Sequence, residues 1–211
     1  MKGLNGWMLA LAGMIGLLGA TSARAEPEWF AIDPVHTRVL FFVDHARFAR
    51  SIGLFRPVEG GLWFDDEDWS KGRVELCISL DHLDMGDRKW EDALRRSDFF
   101  DASRHPDLCF ASNRVERLDQ EKGRLHGEIT IRGTKRPAVF DFTVNDLRRF
   151  SLTMKRRLGV SATATLSRSE FGMTRDKTLI GDTIEVIIEL EAQIADPPSR
   201  ASPSAAPATK Q

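Results

Sequence analysis

Five histidines, two cysteines and a scatter of acids and arginines are the residues of this 211-residue chain most able to do chemistry. The histidines stand at 36, 45, 82, 105 and 126, with no H-x-H, H-x-x-x-H or H-E-x-x-H spacing. No local metal motif is therefore present, and only a zinc site assembled from distant strands stays open. No G-x-S-x-G turn occurs, and no Gly-rich phosphate loop leads from a strand into a helix. Asp98 and Asp101 flank Phe99-Phe100 and are expected to fix a loop by accepting backbone N–H bonds, with an acid pair for hydrolysis as the alternative. Arg168 is read as pairing with an acid in the protein wall, or else as an anchor for a phosphate or carboxylate. His36, two residues after Pro34, is read as a turn cap. No catalytic residue, metal ligand or cofactor is assigned.

The elements that would position these groups are strands. Thr37, Val39, Phe41, Val43 and His45 share one face of a first long strand. Leu62 and Phe64 share a face, as do Leu125, Ile129 and Ile131, and Ala138, Phe140, Phe142 and Val144. Val160, Ala162, Ala164 and Leu166 alternate with small polar residues, and Ile184, Val186, Ile188 and Leu190 close the series. Period two marks strands with one dry and one wet face. Turn signals such as Glu121-Lys122-Gly123 and Gly181-Asp182 separate them, so neighbours run antiparallel. Seven or eight such strands predict a sandwich or a barrel. One segment departs from the pattern: residues 87–97, DRKWEDALRRS, place Trp90 and Leu94 at i and i+4 behind an Asp, a short amphipathic helix over one mouth of a barrel.

Parity puts Cys77 and Cys109 opposite the apolar faces VELCISL and DLCFAS, on the outside of neighbouring strands. A disulfide and two unpaired thiols both remain open, because spacing does not fix the distance a bridge needs. At the N-terminus, Lys2, the uncharged run Trp7 to Leu18 and Ala23-Arg24-Ala25 read as a signal peptide cleaved after Ala25, so residues 1–25 are excluded from the fold and export to the periplasm is expected. No further run is long enough to span a bilayer. Residues 196–211, DPPSRASPSAAPATKQ, lack large apolar side chains and read as a disordered tail. Residues 26–195 are then one domain. With 30 basic and 31 acidic residues and a net charge of −1, the chain shows neither the basic face of a nucleic-acid binder nor a polybasic membrane segment.

The residues resemble the YceI-like family, polyisoprenoid-binding periplasmic proteins of bacteria. The likeness runs from about Trp29 to Ala192 in four ordered blocks: WFAIDPVHTRVLFFVDHARFARSIGLFRPVEGGLWFD, DALRRSDFFDASRHPDLCFASNRV, GEITIRGTKRPAVFDF and SRSEFGM, followed by Gly181-Asp182. Asp33, His36, Gly53, Asp65, Asp98, Asp101, Gly127, Arg132 and Arg168 fall in step with the family pattern. Thr37 stands where Ser is usual, and Arg47-Phe48-Ala49-Arg50 is bulkier than the customary small polar stretch. The resemblance implies an eight-stranded antiparallel lipocalin-like barrel with one short helix. It also implies a deep pocket for a long-tailed amphiphile: a polyisoprenoid, an isoprenoid quinone or a fatty-acid derivative. Homodimers occur in the family, though no interface is readable here.

A barrel of this size is filled either by its own side chains or by one ligand, and periodicity does not choose. The expected lining is Phe41, Val43, His45, Phe99, Phe110, Ile129, Phe140, Phe142, Val160, Ala162, Phe171, Ile184 and Val186, each of which also fits an ordinary core. His45, inward at its strand end, either bonds a ligand head group or satisfies a neighbouring strand. The expected function is a lipid carrier without stable membrane insertion. Its rivals are an enzyme using His45 as acid and base, and a packed structural barrel.

Overall fold

A computed structural model describes residues 26–198. The expected signal peptide lies outside these residues, as does the tail beyond residue 198. The strands are β1 (Glu28–Ile32), β2 (Arg38–His45), β3 (Ala49–Phe55), β4 (Glu59–Phe64), β5 (Arg73–Ser79), β6 (Leu83–Asp84), β7 (Asp107–Arg117), β8 (Lys122–Ile131), β9 (Thr134–Arg149), β10 (Arg156–Ser167) and β11 (Ile180–Ile194). The helix α1 spans Arg88–Arg95.

Eleven segments make eight staves. β1 and β2 run in line against β11, joined through a turn at residues 33–37; β3 and β4 follow one another likewise, as do β5 and β6 across a short helical turn at Leu80–His82. The order is then β1/β2, β3/β4, β5/β6, β7, β8, β9, β10 and β11, every pairing antiparallel, with β11 returning to β1 and β2. The barrel is closed, which removes the free edges on which an open sheet would aggregate.

The first break is stitched by a side chain. Thr37 is fully buried, and its hydroxyl both donates to the Glu191 carbonyl and accepts from the Glu191 amide, each at 3.2 Å. A hydroxyl thus replaces a ladder partner where the strand bends. Serine carries the same hydroxyl, which explains why Thr37 can stand where the family pattern has Ser. Outside the wall, Cys77 faces Cys109 across β5 and β7, and the two form a disulfide.

The predicted helix forms two residues shorter at its C-terminal end than the sequence pattern suggests. Asp87 caps it by accepting from the Trp90 amide at 3.1 Å. Its C-terminal turn unwinds into a tight loop in which the amides of Phe100, Asp101 and Ala102 bond back to the carbonyls of Leu94, Arg96 and Arg95.

Candidate functional site

The inward faces of the strands enclose a hollow of about 400 Å³. The decisive detail is burial. Val160, Ala162, Leu166, Ile184, Ile188 and Leu190 point inward, and although most of them touch the buried core, each stays only partly buried where it borders open space. A packed interior would bury them fully. All thirteen residues expected from the sequence border this hollow: Phe41, Val43, His45, Phe99, Phe110, Ile129, Phe140, Phe142, Val160, Ala162, Phe171, Ile184 and Val186. Along β11 the lining runs from Ile180 to Leu190, about 33 Å of strand at ~3.3 Å per residue, or roughly 25 Å of depth at a typical barrel tilt.

One end is sealed. Phe30, Leu62, Phe64, Trp69, Val115, Leu158 and Ala192 form a buried floor. Trp69 backs it, with its ring 5.5 Å from Phe142 and 5.6 Å from Phe64, under the Arg117 guanidinium at 4.6 Å. The loop that carries Trp69 is organised by Asp65. This buried carboxylate accepts from the Glu67 and Asp68 amides and from Lys71 at 3.0 Å. The Lys71 bond, against the cost of burial, holds the Asp65 carboxyl below the usual aspartate range. The sequence pattern did not single out Trp69, because it lies in a short helical turn at Trp69–Lys71 between strands, where period two says nothing.

The other end carries α1. Trp90, Ala93 and Leu94 face the hollow, but no residue of the helix is fully buried. The helix is tied down at two points: Arg95 donates to the carbonyls of Leu80 and Leu83 at 3.2 and 3.4 Å, and Glu91 accepts from the Met85 amide at 3.1 Å. Trp90, nearer its N-terminus, overhangs the rim with its ring 6.2 Å from that of His45. Asp44, His45 and Ser51 supply polar groups at this mouth, and Met85 and Ile180 complete its wall.

The polar residues need several corrections. His45 does border the hollow, but it is exposed at the rim, and among the described residues its ring meets Trp90 rather than an acid or a hydrogen-bond partner. Arg168 is buried and pairs with no carboxylate directly. It donates to the carbonyls of Gly181, Met173 and Ile180 at 2.8, 2.6 and 2.8 Å, while burial pushes its pKa down. Its fork thereby fastens both ends of the loop between Met173 and Ile180. Asp98 and Asp101 accept from guanidinium groups, Arg175 and Arg104, and Asp98 also accepts from its own backbone amide. Two acids bordering one loop are here two separate ion pairs, each carboxyl held below its usual range. For Asp101 the Arg104 bond is the main cause; for Asp98, Arg175 overcomes an opposing effect of burial.

Asp33, His36 and Glu191 bring three potential metal-ligand atoms within 4.8 Å of one another. Arg157 already reaches both carboxylates, at 3.6 Å from Asp33 and 2.6 Å from Glu191, and His36 Nδ1 lies 2.9 Å from Asp33. The donor set is thus neutralised by a cation of the chain itself and pins the first strand break. The turn-capping role expected for His36 belongs to Asp33, which accepts from the Val35 and His36 amides.

Comparison with known proteins agrees with this geometry. The family model described as the YceI-like domain matches residues 30–192. The chain belongs to the YceI-like family. Among its relatives, a UPF0312 protein of Pectobacterium carotovorum is 25% identical over 184 residues, covering 87% of this chain and 95% of that protein. Protein YceI of Salmonella newport is 24% identical over 192 residues, covering 90% and 96%. Among solved structures, BcnA of Burkholderia cenocepacia superposes with a TM-score of 0.69 at 21% identity, over 76% of this chain and 99% of that one. A domain of Saccharophagus degradans, described as polyisoprenoid-binding and implicated in plant cell wall breakdown, gives 0.61 at 11% identity, over 80% and 99%.

Many of the residues that carry the YceI-like pattern sit at joints of the fold, Thr37 and Arg168 at joints that also border the hollow. Asp33, His36 and Thr37 hold the first strand break, Asp65 the floor loop, and Arg168 the loop beside the mouth. Two glycines make room for lining rings. A Cβ at Gly53 would stand 2.1 Å from the Phe41 ring, and one at Gly127 would stand 2.4 Å from the Ala111 carbonyl and 2.6 Å from the Phe110 ring.

Proposed function

We propose that this YceI-like barrel is a periplasmic carrier that holds the tail of a long-chain amphiphile, namely a polyisoprenoid, an isoprenoid quinone or a fatty-acid derivative. The observation that carries the reading is the apolar hollow itself: inward strand faces that stay half-open, a sealed floor, and polar side chains gathered at the mouth. Each methylene moved from water into such a site gains about 0.8 kcal/mol. A dozen therefore contribute roughly 10 kcal/mol before ordering costs, and no special residue is required for affinity. Asp44, His45 and Ser51 are placed to meet a head group while the tail lies below them. The name of the Saccharophagus domain, polyisoprenoid-binding, supports the choice of ligand class, and the sequence of residues 1–25 supports export.

The test is native mass spectrometry of the mature protein purified from periplasm, with uptake assays using octaprenyl and fatty-acyl probes. A bound lipid mass, or uptake at one probe per chain, is expected, together with a mature N-terminus at Glu26. Ala162→Phe, which fills the hollow without adding charge, should abolish uptake and leave the circular dichroism spectrum unchanged. A protein that emerges empty and takes up neither probe overturns the reading.

A further inference from the structure

The rim around the mouth assembles three exposed apolar side chains from segments far apart in sequence. Phe48, in the turn between β2 and β3, is 91% exposed; Leu179, in the loop before β11, is 55% exposed; Trp90 of α1 is 47% exposed. They share one edge. The Ala46 amide bonds the Leu179 carbonyl at 2.6 Å, the Phe48 amide bonds the His45 carbonyl, and the His45 ring faces Trp90. The turn is also strained in a directed way. Ala46 and Arg47 both take positive φ, 52° and 61°, a conformation that glycine and asparagine adopt most easily in two-residue hairpin turns. Two ordinary residues held there present Arg47 and Phe48 to solvent.

Charge at this rim is also arranged. Asp98 and Asp176 pair with Arg175, Glu185 with Arg50, and Glu91 and Asp92 with Arg95. Arg47, Arg88, Lys89 and Lys177 have no acidic partner among the described residues, and they outnumber the exposed rim acids without a cationic one, Asp44 and Asp87. Exposed apolar tips among unpaired cations are the elements of a surface that seats on anionic lipid headgroups. None of this is visible as a run in the sequence, because residues 46–50, 88–90 and 177–179 meet only in the fold.

We infer that the mouth rim is a docking surface for an anionic lipid bilayer, on which Phe48, Leu179 and Trp90 enter the headgroup layer while Arg47, Arg88, Lys89 and Lys177 meet its phosphates. The inference rests on the carrier reading. An apolar tail that leaves a bilayer here passes into the hollow without crossing water.

A second exposed patch makes the inference easy to refute. Leu152 and Met154, 83% and 64% exposed, occupy the hairpin between β9 and β10 at the sealed end, beside Arg149 and Lys155. Docking there would turn the mouth away from the membrane.

The experiment is co-sedimentation of the mature protein with vesicles of phosphatidylethanolamine and phosphatidylglycerol, and with phosphatidylcholine alone. Binding is expected to the anionic vesicles and to be weak on the neutral ones. The double variant Phe48→Asp, Leu179→Asp should lower the bound fraction about tenfold, whereas Leu152→Asp, Met154→Asp should leave it unchanged. Both pairs are exposed, and circular dichroism should show both variants folded. The inference is overturned if the wild type stays in the supernatant, if it binds neutral vesicles equally, or if binding follows Leu152 and Met154. It is also overturned if Phe48→Asp converts a dimer to a monomer, which assigns the rim to a second copy of the chain. Uptake of a water-dispersed fluorescent fatty acid, measured without vesicles, should be the same in the wild type and the rim variant. Its absence in the wild type defeats the carrier reading whatever the vesicles show.

Discussion

The two ends of the barrel are closed in opposite ways. At the floor, six buried apolar residues pack with Trp69, and a buried carboxylate orders the loop behind them. At the mouth, an eight-residue helix without one fully buried side chain rests across the opening, held by hydrogen bonds of Glu91 and Arg95. A lid with little buried area costs little to lift, whereas a floor of stacked rings opens only with the fold. The difference makes the barrel a cup rather than a tunnel: the floor is packed shut, and the mouth is only lightly covered.

The largest effect should come from breaking the floor. Trp69→Ala should destabilise the protein by about 3–5 kcal/mol, read as a lower midpoint in guanidinium chloride. Next, the Cys77–Cys109 bridge braces the outer wall between β5 and β7. Replacing both cysteines by Ser should cost about 2–4 kcal/mol, and dithiothreitol should lower the melting temperature of the wild type while leaving that of the double variant unchanged.

Acid should act on the floor through Asp65. Its folded carboxyl sits below the ordinary aspartate value of 3.8 because Lys71 and two amides favour the charged form. The stabilisation is therefore complete above that value and is lost as pH falls through the lowered folded pKa. Melting temperature should decline on acidification through this range. Asp65→Asn should flatten the decline while melting lower at neutral pH.

The smallest effect on stability, and the sharpest contrast, belongs to the lid. Trp90→Ala should change stability by less than about 1 kcal/mol yet speed the release of a bound fluorescent lipid in stopped-flow measurements. Equal release rates for the wild type and Trp90→Ala would remove the functional half of the comparison.

Much of the barrel was legible in the sequence because period two is a strong signal in strands with one dry face. Every expected lining residue borders the hollow, including Phe99 and Phe171, which lie outside strands and came from the family pattern. What the pattern could not give was whether the interior is empty. That depends on the distance across the barrel, and medium-sized residues such as Val160 and Ala162 suit either case. Polar partners were read less well. Arg168 and Asp101 were each assigned a partner from residue type, but the fold offered Arg168 three carbonyls and Asp101 a nearby guanidinium. Trp69 and the rim residues Phe48 and Leu179 were missed as a set, since their roles come from segments that meet only after the barrel closes.

That closure joins the beginning of the domain to its end. Ile32 of β1 faces Ala192 of β11, and β11 also pairs along most of its length with β2. A chain still emerging from the ribosome lacks its last stave, so the cylinder has no seam to seal until synthesis is nearly complete. Such late, long-range pairing keeps the polypeptide open for longer than a fold built from local contacts. It also means that losing the final fifteen-residue strand would remove a side of the vessel, not merely its rim.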